Sequence, residues 1–158
     1  MKIIRTDQLD KEKAAAYFRE NWGSPEMVIS TGIYKCDELP GFAAIDSDHD
    51  IVGLITFADR GEEREIISLD ASIEGQGIGS GLLNAAEADA KEKGISLMAL
   101  ITTNDNLNAL RFYQKRGYQL TRILRNAVED ARKIKPEIPL LGYGGIPIRD
   151  ELILEKQI

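Results

Sequence analysis

The sequence predicts a mixed α/β fold of the α+β kind, in which an antiparallel meander leads into a strand–helix–strand unit. Three observations predict it. Short apolar runs between 42 and 71 are separated by the polar turns Ser47-Asp48-His49-Asp50 and Asp59-Arg60-Gly61-Glu62, the pattern of strands joined as hairpins. A glycine run, Glu74-Gly75-Gln76-Gly77-Ile78-Gly79-Ser80-Gly81, opens directly into a helical stripe. Beyond that helix, Ile-Ser-Leu-Met-Ala-Leu-Ile-Thr at 95–102 is nearly all apolar, as in a strand buried on both faces. Strand, helix and strand in that order imply a parallel pair joined by a right-handed crossover. The central sheet is therefore expected to be mixed, with helices flanking it.

Each element has a local reason. Residues 1–6 read as an opening strand. Asp10 can cap a helix over 11–20, where Ala14, Ala15, Tyr17 and Phe18 recur near helical spacing. Asn21-Trp22-Gly23-Ser24-Pro25 ends it. Residues 27–34 are apolar and β-branched and read as one strand, although it contains Gly32. Pro40-Gly41 is a turn signal. The meander follows as strands 42–46, 51–57 and 64–71. In the last, strict alternation puts Ile67, Leu69 and Ala71 on one face and Ile66, Ser68 and Asp70 on the other.

After the glycine run, Ile78, Leu82, Ala86 and Ala90 form an apolar stripe, and Gly94 ends the helix behind Lys91-Glu92-Lys93. Asn104 or Asp105 can cap a second helix over 106–116, closed by Gly117. Strand 118–124 follows, then a short helix over 126–133. Residues 135–145 form a loop broken by Pro136, Pro139 and Gly142-Tyr143-Gly144-Gly145, and 150–156 alternate as a last strand. A length of 158 residues without a linker or repeat implies one domain over 1–158.

Composition removes several functions. The net charge is −6, with 26 acidic against 20 basic residues, a poor match to a phosphate backbone, so no nucleic-acid partner is expected. There is no apolar run long enough to span a bilayer and no signal-peptide pattern at the start, so no membrane partner is expected and the expected location is the cytoplasm. Cys36 is the only cysteine and His49 the only histidine. One thiol makes no internal disulfide, the pair makes no zinc site, and His49 sits in a polar turn. No metal is expected.

The glycine run carries the chemistry. Glycines let the backbone approach a ligand and adopt positive φ. The helix N-terminus behind them offers unpaired N–H groups and a positive dipole end, which suits a phosphate or diphosphate. There is no Gly-Lys-Ser/Thr to reach a γ-phosphate, so an NTPase loop does not fit. The dinucleotide spacing also fails, because the third glycine position holds Ser80 or Leu82.

Here the sequence resembles the GNAT acetyltransferases. Their acetyl-CoA loop reads Arg/Gln-x-x-Gly-x-Gly/Ala, and two registers fit. Gln76-Gly77-Ile78-Gly79-Ser80-Gly81 matches the letters. Glu74-Gly75-Gln76-Gly77-Ile78-Gly79, followed by Leu82-Leu83, matches the aliphatic pair and is preferred. In that register Glu74 replaces the usual Arg or Gln and is expected to point to solvent. Downstream, Asn106-Leu107-Asn108-Ala109-Leu110-Arg111-Phe112-Tyr113 and then Gly117-Tyr118 resemble the family's later motif, with Tyr118 as an aromatic swap. Lys-Pro-Glu-Ile-Pro at 135–139 and Gly-Ile-Pro-Ile-Arg-Asp-Glu at 145–151 are similar to the tail of a bacterial subgroup of unknown substrate.

The resemblance implies the GNAT-like acyl-CoA N-acyltransferase fold, with strands 64–71 and 95–102 splayed apart so that pantetheine amides pair in the gap. It implies acetyl-CoA as cosubstrate and direct attack by an amine acceptor, small or cationic. An acyl-CoA-binding module without turnover is the alternative. The coenzyme would contact Leu69, Asp70, Ala71, Gly75, Gln76, Gly77, Ile78, Gly79, Ser80, Asn104, Asn106, Ala109, Phe112 and Tyr113. A backbone N–H near Leu69, Asp70 or Ala71 would hold the carbonyl oxygen. Tyr113 would hydrogen-bond or protonate the leaving thiolate, its pKa of about 10, above a thiol's about 8.5, keeping the phenol in its protonated form beforehand. The base would be Glu65, or Asp70 nearer the expected bulge. Acceptor recognition would fall to Trp22, Tyr34, Pro136, Pro139, Tyr143 and Pro147. Dimers are common on such folds, so the resemblance suggests a homodimer.

Overall fold

Alternating runs, capped helices and glycine stops together set the element order. The computed structural model describes residues 1–158. In chain order it contains β1 (Lys2–Arg5), α1 (Lys11–Trp22), β2 (Glu26–Ile29), β3 (Gly32–Lys35), β4 (Gly41–Ile45), β5 (Ile51–Arg60), β6 (Glu63–Ala71), α2 (Ile78–Glu92), β7 (Leu97–Thr103), α3 (Leu107–Gln114), β8 (Gln119–Leu124), α4 (Ala127–Ile134) and β9 (Glu151–Gln157). The fold is mixed α/β. Its contacts group into two units. The first holds Met1–Met27, Tyr34–Met98 and Ile158, and the second holds Val28–Ile33 and Ala99–Gln157.

The first unit is the meander with its helices. Strands β1, β4, β5 and β6 lie in that order, each antiparallel to the next. Helix α1 starts at Asp10, whose carboxylate accepts from the Glu12 N–H at 2.9 Å, and ends at Gly23. Helix α2 packs on β4, β5 and β6 through Ile78, Leu82, Leu83, Ala86 and Ala90, all buried. Burying a leucine of this kind stabilises the fold by about 1.5–3 kcal/mol.

The same face buries a charge. Arg64 is fully enclosed. It donates to both oxygens of Asp59 at 2.8 and 2.9 Å and to the Ala86 carbonyl at 2.9 Å. It also pairs with Asp89 at 2.8 Å and lies 3.6 Å from the centre of the Phe57 ring. Burial would raise the Asp89 carboxyl, but bonds from Lys93, Arg64 and Arg5 hold it at about 2 instead. Asp89 thus stays ionised and keeps Arg64 compensated. Removing one partner of such a buried pair costs about 3–5 kcal/mol.

Three expectations are corrected here. Strict alternation in β6 fails. Ile66 lies opposite Phe57 and Ser68 opposite Thr56, so Ile67 is an extra residue with no partner in β5. One inserted residue reverses the parity of a strand. Ile66 therefore leaves the Ser68 and Asp70 face and turns to α2 with Phe57, while Glu65, opposite Ala58, joins Ser68 and Asp70. The bulge expected near Asp70 is thus at Ile67. Second, the single strand expected at 27–34 is the hairpin of β2 and β3. Ser30 turns the chain, and both its N–H (3.1 Å) and its hydroxyl donate to Glu151 Oε1. Third, the cap of α3 is Asn106, whose Oδ1 accepts from the Ala109 N–H at 3.1 Å, and not Asn104 or Asp105.

In the second unit the strand order is β7, β9, β8, with β8 and β9 antiparallel, and α3 packs on β8. The loop between α4 and β9 is pinned by polar groups. Arg132 donates to the carbonyls of Pro139 and Ile148, both at 2.7 Å. Asp105 is buried and accepts from the Tyr143 N–H at 3.2 Å. It leaves no room at Gly142, where a Cβ would lie 1.9 Å from Asp105 Oδ2. No helix is long and apolar enough to cross a membrane.

Candidate active site

The glycine loop is in the first unit and forms the start of α2. Gly75 and Gly77 adopt φ of 78° and 74°, the left-handed region, and nothing lies within 4 Å of where a Cβ would stand. These glycines are required by the backbone turn rather than by crowding. Gly77 is the N-cap, and the first helical bond runs from the Gly81 N–H to the Gly77 carbonyl at 2.9 Å. The amides of Ile78, Gly79 and Ser80 therefore precede the helical ladder. No side chain caps the helix and no acidic residue occupies its first turn. Glu74, Gly75, Gln76 and Gly77 are exposed. An exposed Glu74 leaves its charge to water.

The face of β6 turned away from α2 is polar. On β5, Thr56, Ala58 and Arg60 alternate onto it, and on β6 the bulge brings Glu65, Ser68 and Asp70 together there. The Thr56 and Ser68 hydroxyls are hydrogen-bonded to each other and buried. Glu65 is 3 % exposed and ion-paired with Arg60. Arg60 also donates to the Tyr34 hydroxyl at 3.1 Å. Asp70 accepts from the Tyr17 hydroxyl at 3.0 Å, and Ser72 Oγ lies 3.4 Å from the same phenol. Burial pushes the Tyr17 phenol well above its usual range, and the Asp70 charge adds to it. Leu69 and Ala71 pair with Ile55 and Gly53 and are partly exposed.

In the second unit, α3 presents Phe112 and Tyr113. The Tyr113 ring meets Phe112 edge-on at 5.1 Å and Tyr118 at 5.4 Å. Arg116 stacks 3.7 Å from the Phe112 ring centre. Burial pushes the Tyr113 phenol well up, Arg116 pulls weakly the other way, and no hydrogen bond contributes. The group is a protonated donor at neutral pH. Asn106 uses its carbonyl oxygen as the helix cap, so the amide nitrogen is the part left to a ligand. Asn104 is occupied by its own chain. It donates to the Pro147 carbonyl at 2.9 Å and accepts from the Arg149 and Asp150 N–H groups at 2.9 and 3.0 Å.

Cys36 is buried, with its N–H bonded to the Pro25 carbonyl at 2.8 Å. His49 sits in an exposed turn at φ 65°. Trp22 is 40 % exposed and packs against Phe18, and Tyr143 is exposed. No group of three or more His, Cys, Asp or Glu side chains is placed to hold a metal ion. Sequence reasoning missed Arg60, Tyr17 and the Thr56–Ser68 pair as parts of one face. Arg60 and Thr56 share that face by alternation along β5, Tyr17 reaches it through Asp70, and the bulge adds Glu65, which no residue type announces.

Residues 8–118 match the sequence profile of the acetyltransferase (GNAT) family. The chain belongs to that family. It is 56% identical over 158 residues to the uncharacterized protein YxbD of Bacillus subtilis (strain 168), covering 100% of this chain and 99% of that one. Its fold is similar to that of a GNAT family acetyltransferase from Elizabethkingia anophelis with acetyl-CoA bound, at TM-score 0.67 and 24% identity over 76% of each chain. It is also similar to a Bacillus subtilis acetyltransferase in complex with CoA, at TM-score 0.69 and 18% identity, covering 99% of this chain and 98% of that one. The loop, the β6 face and α3 are therefore parts of a GNAT acetyltransferase.

Proposed function

We propose that the protein is an N-acetyltransferase that moves the acetyl group of acetyl-CoA to a primary amine by direct attack. The observation that carries this reading is the glycine-formed N-terminus of α2. Its first turn follows two left-handed glycines and has neither a side-chain cap from its N-cap residue nor an acidic residue within it. Such an end suits the coenzyme's diphosphate. Gly75, Gln76, Gly77, Ile78, Gly79 and Ser80 would hold it. The Asn106 amide nitrogen would donate to the pantetheine arm.

The chemistry needs three groups. The ammonium form of the acceptor must lose a proton before it attacks, and Glu65 takes that proton in this reading. Nitrogen then adds to the thioester carbonyl, whose oxygen gains charge and is met by a backbone N–H of β6. As the carbon–nitrogen bond is completed the carbon–sulfur bond breaks. The thiolate takes the Tyr113 proton while the acidic N–H of the newly formed cationic amide nitrogen replaces it through water, since burial disfavours a phenolate.

One observation favours a second reading, an acyl-CoA-binding module without turnover. Glu65 is engaged by Arg60 rather than open. Thiol release from acetyl-CoA across a panel of primary amines separates the two. At least one amine is expected to release thiol. For that amine, Tyr113→Phe lowers kcat by about 100-fold or more, the range of a lost general acid, with unchanged affinity for acetyl-CoA. Binding of acetyl-CoA with no thiol released by any amine would leave the binding module standing.

A further inference from the structure

We propose that the acceptor amine also carries a carboxylate, as an amino acid does, and that Arg60 binds that carboxylate while Glu65 receives the ammonium. The inference rests on the transfer reading above and adds the substrate class to it. It starts from an asymmetric ion pair. Glu65 is 3 % exposed, whereas the Arg60 side chain is 46% exposed. Arg60 is fixed at two points, by Glu65 and by the Tyr34 hydroxyl at 3.1 Å. A guanidinium has five N–H donors, and those of Arg60 beyond these two bonds have no protein partner. A planar, half-solvated fork of this kind matches a carboxylate.

Charge balance then selects the acceptor. A simple amine reaches Glu65 as an ammonium. It then competes with the guanidinium for Glu65, while Glu63, opposite Arg60 in the register, is the other carboxylate on this face. An acceptor with its own carboxylate removes that conflict. Arg60 turns its fork from Glu65 to the incoming carboxylate, and Glu65 turns to the incoming ammonium. The buried Thr56–Ser68 hydroxyl pair lies on the same face and leaves no other charged group between Glu65 and Asp70 on β6.

The test uses L-amino acids against their amides, pairs that differ in the carboxylate and not in the amine's side chain. Thiol release from acetyl-CoA is measured for both members with the full-length protein. At least one acid is expected to exceed its amide by tenfold or more in kcat/KM, mainly through KM. Arg60→Gln removes that ratio. Arg60→Lys keeps a cation for Glu65 and so guards the fold, but loses the planar fork, and it should retain less than a third of the preference. Amides equal to or better than the acids in every pair, or a full preference in Arg60→Lys, would overturn the proposal. If no compound releases thiol, the transfer reading fails, and calorimetry on protein saturated with CoA still decides the carboxylate. Tenfold tighter binding of an acid than its amide, lost in Arg60→Gln, supports it. No difference, or no binding, overturns it.

Discussion

Helices α1 and α3 close their own N-termini, whereas α2 leaves its end open. Asp10 caps α1 and Asn106 caps α3, each with a side-chain oxygen on a first-turn N–H. Helix α4 lacks such a cap but carries Glu129 and Asp130 in its first turn. Only α2 has neither device. Ordinary caps contribute about 1 kcal/mol each, so an uncapped 15-residue helix relinquishes stability that its neighbours keep. Its packing makes this tolerable, because Leu82, Leu83, Ala86 and Ala90 are all but fully buried. The comparison teaches that the core holds α2 in place while its end stays available for an anion.

Closing the open end should have the largest effect. Gly77→Asp supplies a carboxylate where the diphosphate is proposed to sit, at a φ that Asp tolerates better than most residues. Affinity for CoA should fall by about 10–100-fold, in keeping with about 1.5–3 kcal/mol for hydrogen bonds to a charged group. The melting temperature should move little. Isothermal titration and thermal melting together check this, and retained CoA affinity would mean the amides are not the anion site.

Opening a closed end is the converse. Asn106→Ala removes the cap of α3 and should cost about 1 kcal/mol of stability, read by urea unfolding. It should also weaken CoA if the amide nitrogen contacts the pantetheine arm. A loss of stability with unchanged CoA affinity would confine Asn106 to capping.

The smallest effect concerns the approach to the open end. Glu74 is exposed, so its repulsion of a diphosphate is screened. Glu74→Gln should strengthen CoA binding by about two- to fivefold, within the range of about 0.3–1 kcal/mol for exposed charges near a helix N-terminus. The gain should shrink as salt is raised. A gain that persists at high salt would show that Glu74 acts by contact instead.

Sequence legibility tracks how local each feature is. The loop, Gly77 at the helix start and the stripe from Ile78 to Ala90 were readable because spacing and residue type alone decide them. Phe112-Tyr113 was legible only through the resemblance to the family's later motif, since spacing alone reads as a buried aromatic pair. The β6 face was not. Strict alternation put Ile66 beside Ser68 and Asp70, and one unpaired residue, Ile67, replaced it with Glu65. A bulge arises from cross-strand register, which no local window contains. The hairpin at 26–35 was missed because Ser30 is held by Glu151, 121 positions away. Arg64 was invisible as a core residue, since its burial depends on Asp59, Asp89 and Phe57 converging in space.

The most direct measurement compares acetyl-CoA with S-acetylpantetheine by calorimetry on the unaltered protein. The two share the thioester and the pantetheine arm but differ in the diphosphate and nucleotide. Tight binding of acetyl-CoA, at least about tenfold weaker binding of S-acetylpantetheine, and displacement of acetyl-CoA by inorganic pyrophosphate are the predicted results. Equal affinity for the two, or acetyl-CoA binding that pyrophosphate leaves untouched, would contradict an anion site at the start of α2.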